Sequence, residues 1–200
     1  MIVLGLTGSI GMGKTHAARV LRRMGLPVFE ADGAVHRLIG PGGRAVAAVD
    51  AAFPGVVRGG AVDHAALGER VFGDQRELAR LEAILHPLVR AAQRRFLRQA
   101  ALRGADMVVL DIPLLFETGA DRLCDATILV TAPPFVQEAR VLGRPGMTRA
   151  RLAAIRARQM AESDKRRRAD FIVPTGLSKG ETLNRLRRIV TLMRAGGKRG

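Results

Sequence analysis

Two hundred residues, 48% of them hydrophobic and 26% charged, suffice for one domain with a small appendage and exclude a disordered chain. Aromatics make up 4%, with neither Trp nor Tyr, so the core must be aliphatic. A formal charge of +15 favours acidic partners, whether nucleic acid, anionic lipid or phosphorylated small molecules, without choosing among them.

In chain order, IVLGL (2–6) reads as a buried strand and 14–24 as a helix with Ala17, Val20, Leu21 and Met24 on one face. PVFEAD (27–32) is a short second strand ending in acids. Residues 33–103 are mostly helical, interrupted by GPGG (40–43), FPG (53–55) and RGG (58–60), with Asp63 and Asp74 as N-caps. DMVVLD (106–111) and ATILVT (126–131) are the third and fourth strands, and a helix follows over Pro134–Leu142. The stretch 144–170 is an arginine-rich helical excursion, FIV (171–173) a fifth strand, and Lys179–Arg194 an amphipathic helix before a loose tail, AGGKRG. Alternating strands and helices predict an α/β fold with a five-stranded parallel sheet flanked by helices. Neither a repeat nor a linker between two full domains is visible.

The lone Cys124 cannot form an internal disulfide. MIVLGLTG lacks the features of a signal peptide, and MVVLDIPLLF is too short, and too interrupted by Asp111 and Pro113, to span a bilayer. These features predict a soluble cytoplasmic protein.

Gly8-Ser9-Ile10-Gly11-Met12-Gly13-Lys14-Thr15 fits the phosphate-loop pattern G-x-x-x-x-G-K-[ST] in full. Its glycines let successive N–H groups face a phosphate chain, and the helix that follows adds its positive end. Lys14 would reach the β- and γ-phosphates and the Thr15 hydroxyl would join a Mg²⁺ shell. His16 follows at the helix start, where position alone brings it to phosphate.

Ligands of such sheets bind beyond the carboxyl ends of the strands. A parallel sheet would bring Glu30, Asp32 and Asp111 to the edge that carries Lys14. Asp111 is either a ligand of Mg²⁺ or its water, or a strand-ending cap. Asp32 is a candidate general base for an attacking hydroxyl, and also a candidate N-cap for 33–39. Between 140 and 168 lie Arg140, Arg144, Arg149, Arg151, Arg156, Arg158, Lys165, Arg166, Arg167 and Arg168, opposed within the segment only by Glu162 and Asp164. Most read as a solvated basic face; a few near its base could close over a triphosphate, Arg140 and Arg144 lying one turn apart. His16, His36, His64 and His86 show no metal spacing.

The combination GLTGSIGMGKT, PVFEAD, LHPLVR (85–90), LDIPLLFE (110–117), Arg140 with Arg144, RQ (158–159) and KRRRADFIVPTG (165–176) resembles the dephospho-CoA kinase family across nearly the whole chain. The resemblance implies transfer of the ATP γ-phosphate to the ribose 3′-hydroxyl of dephospho-CoA, with Mg²⁺. It implies a P-loop kinase core at about 1–32, 104–140 and 169–195, a helical substrate-binding region at about 33–103 and a mobile lid at about 141–168. Asp32 then matches the second acid of an Asp-Ala-Asp motif, the family's proposed base. Lys14 and Thr15 match phosphate and Mg²⁺ ligands within a nucleotide cradle of Gly8, Gly11, Met12, Gly13 and His16. Arg140 matches a lid arginine near the phosphates, and Thr175-Gly176 falls where Asn-Gly often lies near the adenine. Leu114, Leu115, Phe116 and Glu117 belong to the segment beside the acceptor, with His36 and His86 as further acceptor-side positions.

Three positions depart from the pattern: Glu30 replaces the first acid, His36 stands where arginine is common, and Thr175 replaces Asn. The implied partners are dephospho-CoA and ATP, with no specific nucleic acid and no membrane, in a monomer or small homo-oligomer. Competing readings are a nucleoside-monophosphate or shikimate-type kinase on the same core, and a nucleic-acid-binding protein. The last rests on the charge of +15 without an aromatic stacking platform.

Overall fold

The computed structural model describes residues 1–157 and 159–196. The chain divides into two compact units, one formed by Met1–Phe29 with the chain from Ala100 onward, the other by Glu30–Gln99.

The first unit is built on a sheet of order β2-β5-β1-β6-β7. Its strands are β1 (Ile2–Thr7), β2 (Val28–Glu30), β5 (Met107–Asp111), β6 (Ala126–Thr131) and β7 (Phe171–Pro174). Every residue of β5 and β6 is buried, the pattern of interior parallel strands covered on both faces. The β1–β5, β1–β6 and β6–β7 pairs are all parallel. The register sets Leu6 beside both Asp111 and Ile128, and Thr131 beside Pro174, so these carboxyl ends share one edge. Leu4, Leu6, Met107, Val109, Ile128, Val130 and Val173 pack with Ala17 and Leu21 of α1 (Lys14–Arg23). Leu186, Ile189 and Val190 of α9 (Lys179–Gly196) join the same core, which is aliphatic as the composition requires.

In the second unit, α2 (Ala31–Ile39) and α3 (Val46–Ala52) precede a hairpin of β3 (Val57–Arg58) and β4 (Ala61–Val62). Then come α4 (His64–Val71) and the long α5 (Gln75–Leu102). Leu38, Val49, Phe53, Val56, Val62, Leu67, Leu81 and Leu85 form its core. Asp63 caps α4, accepting from the N–H groups of Ala65 and Ala66 at 2.9 and 3.2 Å; Asp74 does the same for Arg76 and Glu77 at 2.8 and 3.1 Å.

Several sequence expectations are corrected. The second strand stops at Glu30, and Asp32 lies in the first turn of α2 instead of at its cap. Ala31 is a good helix former and a first-turn carboxylate suits the helix dipole, so the helix starts early. The β3–β4 hairpin was not anticipated, because two-residue strands are too short to show periodicity. The arginine-rich excursion is two helices, α7 (Arg149–Ala157) and α8 (Glu162–Arg168). The break has a cause: the Met160 N–H donates to the Glu117 carboxylate at 2.9 Å instead of continuing a helix. α6 (Pro134–Leu142) ends before Arg144, which is exposed and not one turn along the same helix from Arg140. Ala195 and Gly196 are helical, not a loose tail. Arg158, and the tail residues Gly197, Lys198, Arg199 and Gly200, lie outside the described residues.

Burial pushes the Cys124 thiol up to about 12, helped by the negative charges of Asp121, Asp125 and Asp170. A thiol so far above neutrality holds almost no thiolate. Native protein at pH 8 is therefore expected to resist iodoacetamide for hours and to react within minutes in denaturant, followed by intact mass.

Candidate active site

β1 hands the chain to Gly8, whose missing side chain is a necessity: a Cβ there would lie 2.4 Å from Val130 Cγ2 and 2.9 Å from the Val130 carbonyl oxygen. Met12 N–H donates to the Ser9 carbonyl at 3.1 Å, tightening the turn. Gly13, at φ 87°, is the N-cap of α1, a left-handed backbone that favours glycine, and a Cβ on it would strike Thr175 Oγ1 at 2.6 Å. The first N–H groups of a helix have no acceptor within it. Among the described residues none is supplied for Gly11, Gly13, Lys14 or Thr15, and the first turn of α1 carries no acid. The loop is thus a set of oriented donors at the positive end of a dipole, a ready site for a polyanion.

Lys14 Nζ donates to Asp111 Oδ1 at 2.7 Å, with side chains only 17% and 6% exposed. The pairing of Leu6 with Asp111 brings this carboxylate to the strand end from which the loop departs. Thr15 is exposed at the start of α1. His16 is held below the usual imidazole range, first by burial and then by Lys179, Arg19, Arg23 and Arg140, so it adds no charge of its own near neutrality.

Arg140 of α6 closes the loop on its other flank. Its Nη2 donates to the Thr175 carbonyl at 2.7 Å, and its Nη1 to Thr175 Oγ1 at 3.1 Å and the Gly11 carbonyl at 3.4 Å. Thr175 in turn donates from Oγ1 to the Met12 carbonyl at 2.6 Å and from its N–H to the Thr131 carbonyl at 2.7 Å. Thr175 therefore ties together the loop, the end of β6 and Arg140. Gly176 has no room for a side chain, since a Cβ would meet Pro133 Cδ at 2.5 Å. The Met12 side chain points into the core, where its Sδ accepts from the Ala132 N–H at 3.0 Å, leaving only its backbone to the loop.

The members of the 114–117 segment, expected beside the acceptor, differ in burial and partners. Leu115 is fully buried, and a Cβ built on Gly5 would lie 2.8 Å from its Cδ2 and from Cys124 Sγ. Phe116 is 3% exposed with the Arg168 guanidinium 4.9 Å above its ring. Glu117 Oε1 accepts from Met160 N–H at 2.9 Å and pairs with Lys165 Nζ at 2.9 Å, and Lys165 is completely buried. Leu114 is half-buried and is the member with surface to offer. In the second unit Asp32 is exposed in the first turn of α2, His36 follows on that helix with its ring 4.9 Å from His64, and His86 is exposed on α5.

Burial alone would raise the Glu117 carboxyl, but the Lys165 hydrogen bond, the Met160 N–H and the Lys165 charge outweigh it and hold it below the usual range. An acid depressed on folding adds stability above its unfolded value of about 4.3, lost as pH falls through its lower folded value. Melting temperature between pH 5 and 3 should fall more steeply for the parent protein than for Glu117→Gln, as followed by circular dichroism.

Gln137 and Gln159 are the loop contacts that sequence reasoning missed. Gln137 Nε2 donates to the Ile10 carbonyl at 2.7 Å, and Gln159 Oε1 accepts the Ile10 N–H at 3.4 Å. A neutral amide carries no charge signature. The available signal was that Gln137 stands four residues before the buried Val141, on the inward face of α6.

A family model described as dephospho-CoA kinase matches residues 2–178. A dephospho-CoA kinase of Paramagnetospirillum magneticum is 62% identical over 97% of this chain and 92% of its own. The crystal structure of TT1252 from Thermus thermophilus is similar at TM-score 0.82 and 36% identity, over 96% of each chain. A dephospho-CoA kinase from Campylobacter jejuni has TM-score 0.71 and 22% identity over 98% of each chain, a likeness of fold.

Proposed function

The chain belongs to the dephospho-CoA kinase family, and we propose that it carries the γ-phosphoryl group of ATP to the ribose 3′-hydroxyl of dephospho-CoA with the residues assembled above. Its activity is thus the ATP-dependent phosphorylation of dephospho-CoA. The observation that carries the residue-level reading is the 2.7 Å Lys14–Asp111 pair beside a loop of unpartnered amides.

In this reading the N–H groups of Gly11, Gly13, Lys14 and Thr15 hold phosphate oxygens, with Gly8 keeping the loop against β6. Lys14 exchanges Asp111 for the β- and γ-phosphates. Arg140, already docked on Thr175 and Gly11, spreads positive charge toward the transferred group. Thr175 and Gly176 border the adenine, and His16 lies at the edge of the nucleotide. Leu114, His36 and His86 line the acceptor. Asp32 takes the proton of the 3′-hydroxyl. Phosphoryl transfer asks for positioning and charge neutralisation more than covalent chemistry, and these groups supply both.

No group of three or more His, Cys, Asp or Glu suited to a metal occurs among the described residues. Mg²⁺ in kinases needs few protein ligands, because phosphates and waters complete its shell. The Thr15 hydroxyl and the Asp111 carboxylate are hard oxygen donors at the loop and fit that need. Bound there, Mg²⁺ would neutralise charge on the β- and γ-phosphate oxygens. No helix of the described residues is long and apolar enough to cross a membrane.

A coupled ADP-release assay tests the reading. Dephospho-CoA with Mg²⁺ should give turnover that disappears with chelator, and nucleoside monophosphates should be inert. Phosphorylation of a nucleoside monophosphate with dephospho-CoA inert would overturn it.

A further inference from the structure

Ile10 is gripped through both of its flanking peptides, by Gln137 of α6 and by Gln159. Its carbonyl accepts from Gln137 Nε2 at 2.7 Å, and its N–H donates to Gln159 Oε1 at 3.4 Å. Gln137 is 4% exposed, and its other amide atom, Oε1, accepts from Arg156 Nη2 at 2.5 Å. The amide's orientation follows from chemistry alone: a guanidinium only donates and a carbonyl only accepts, so the NH₂ must face Ile10 and the oxygen must face Arg156. The next residue after Gln159 is fastened as well, since Met160 N–H donates to Glu117, whose carboxylate pairs with the buried Lys165. Gln159 is thus tied to the phosphate loop directly, Arg156 of α7 through Gln137, and Met160 to Glu117.

Peptide planarity converts this grip into a functional constraint. The carbonyl of Ile10 and the N–H of Gly11 belong to one trans peptide and point in opposite directions. Drawing the carbonyl toward Gln137 turns the Gly11 N–H away from α6, and that N–H is one of the loop donors without an acceptor among the described residues. The preceding peptide is fixed in the same manner, with the Ser9 carbonyl held by Met12 N–H at 3.1 Å and the Ile10 N–H held by Gln159.

We propose that Gln137 is a positioning residue for phosphoryl transfer. Assisted by Gln159, it sets the direction of the Gly11 amide and makes the loop's affinity for the nucleotide polyphosphate depend on the contacts of Arg156 and Gln159. This rests on the reading of residues 8–15 as the phosphate loop.

Three variants test it. Gln137→Met keeps length and shape but loses both hydrogen bonds. Gln137→Glu keeps an acceptor for Arg156 but has no donor for the Ile10 carbonyl. Gln159→Ala releases the preceding peptide, and the substituted position is half-buried. The readouts are KM for ATP and for dephospho-CoA, kcat, melting temperature, and Kd for a non-hydrolysable ATP analogue by calorimetry.

Both Gln137 variants are expected to raise KM for ATP and Kd for the analogue about tenfold, the order of one or two lost hydrogen bonds, with KM for dephospho-CoA unchanged. Gln159→Ala should move the same constants in the same direction by less, and it carries the test alone if the Gln137 variants do not fold. A lowered melting temperature with unaltered ATP constants would overturn the proposal, leaving Gln137 a packing residue. Parent-like ATP constants in Gln137→Glu would also overturn it, since the bond to Arg156 would then be the one that matters. A Lys14→Ala control separates the underlying reading. Full activity in that control would remove the phosphate-loop assignment, whereas an inactive control beside an unaffected Gln137→Met would remove only this inference.

Discussion

Lys14→Ala is expected to lower kcat by about three orders of magnitude, the scale on which single charge-stabilising donors act in acyl and phosphoryl transfer. Two effects combine. The variant removes the one ammonium that α1 holds at the loop, and it leaves Asp111, whose side chain is 6% exposed, without its 2.7 Å partner. A carboxylate stranded beside the phosphate site repels the incoming polyanion. Loss of the buried Lys14–Asp111 ion pair should also lower the melting temperature. The two effects separate in a double variant. Lys14→Ala with Asp111→Asn should regain part of the melting temperature, because the buried carboxylate's charge is removed together with the ammonium that offset it, yet should recover little turnover. Lys14→Arg should not rescue transfer, because a planar fork does not substitute for a compact point charge in a loop this tight. Coupled ADP release at saturating dephospho-CoA, alongside thermal melts, gives both readings. Near-parental turnover in Lys14→Ala would undo the assignment of the loop.

The parts of this molecule that sequence made legible are those governed by local rules. The glycines of the loop stand between a buried strand and an amphipathic helix, and backbone geometry at Gly11 and Gly13 (φ 76° and 87°) accounts for them. β5 and β6 read as unbroken apolar runs because both faces are covered. Asp63 and Asp74 announced themselves as caps. What escaped is long-range pairing. Lys165 stands in a run of four basic residues and reads as solvated, yet it is completely buried because Glu117, remote in sequence, meets it. The basic excursion has more acidic partners than its own Glu162 and Asp164: Arg168 pairs with Asp121 at 2.8 Å and Arg149 with Glu138 at 3.3 Å. Met160 breaks the excursion into two helices through the same remote carboxylate. Gln137 and Gln159 escaped for a different reason, since a neutral amide betrays its role only through the direction of its bonds.

Asp32→Asn is expected to lower kcat by about 10²- to 10³-fold while leaving nucleotide affinity intact. The three acids Glu30 at the end of β2, Asp32 in the first turn of α2 and Asp111 at the end of β5 differ in what their carboxylates already do. Asp111 is committed to Lys14. Glu30 also has a protein interaction, whereas Asp32 carries neither a hydrogen bond nor an ion pair among the described residues. A general base needs a lone pair that no protein donor has claimed, and Asp32 offers one from an exposed position in the first turn of α2. Asparagine keeps the size and an acceptor oxygen but has no capacity to take a proton. Its loss should therefore fall on kcat and not on the Kd of an ATP analogue. Asp32→Glu should retain part of the activity, because the carboxylate survives at the end of a longer arm. Full turnover in Asp32→Asn would move the proton acceptor elsewhere.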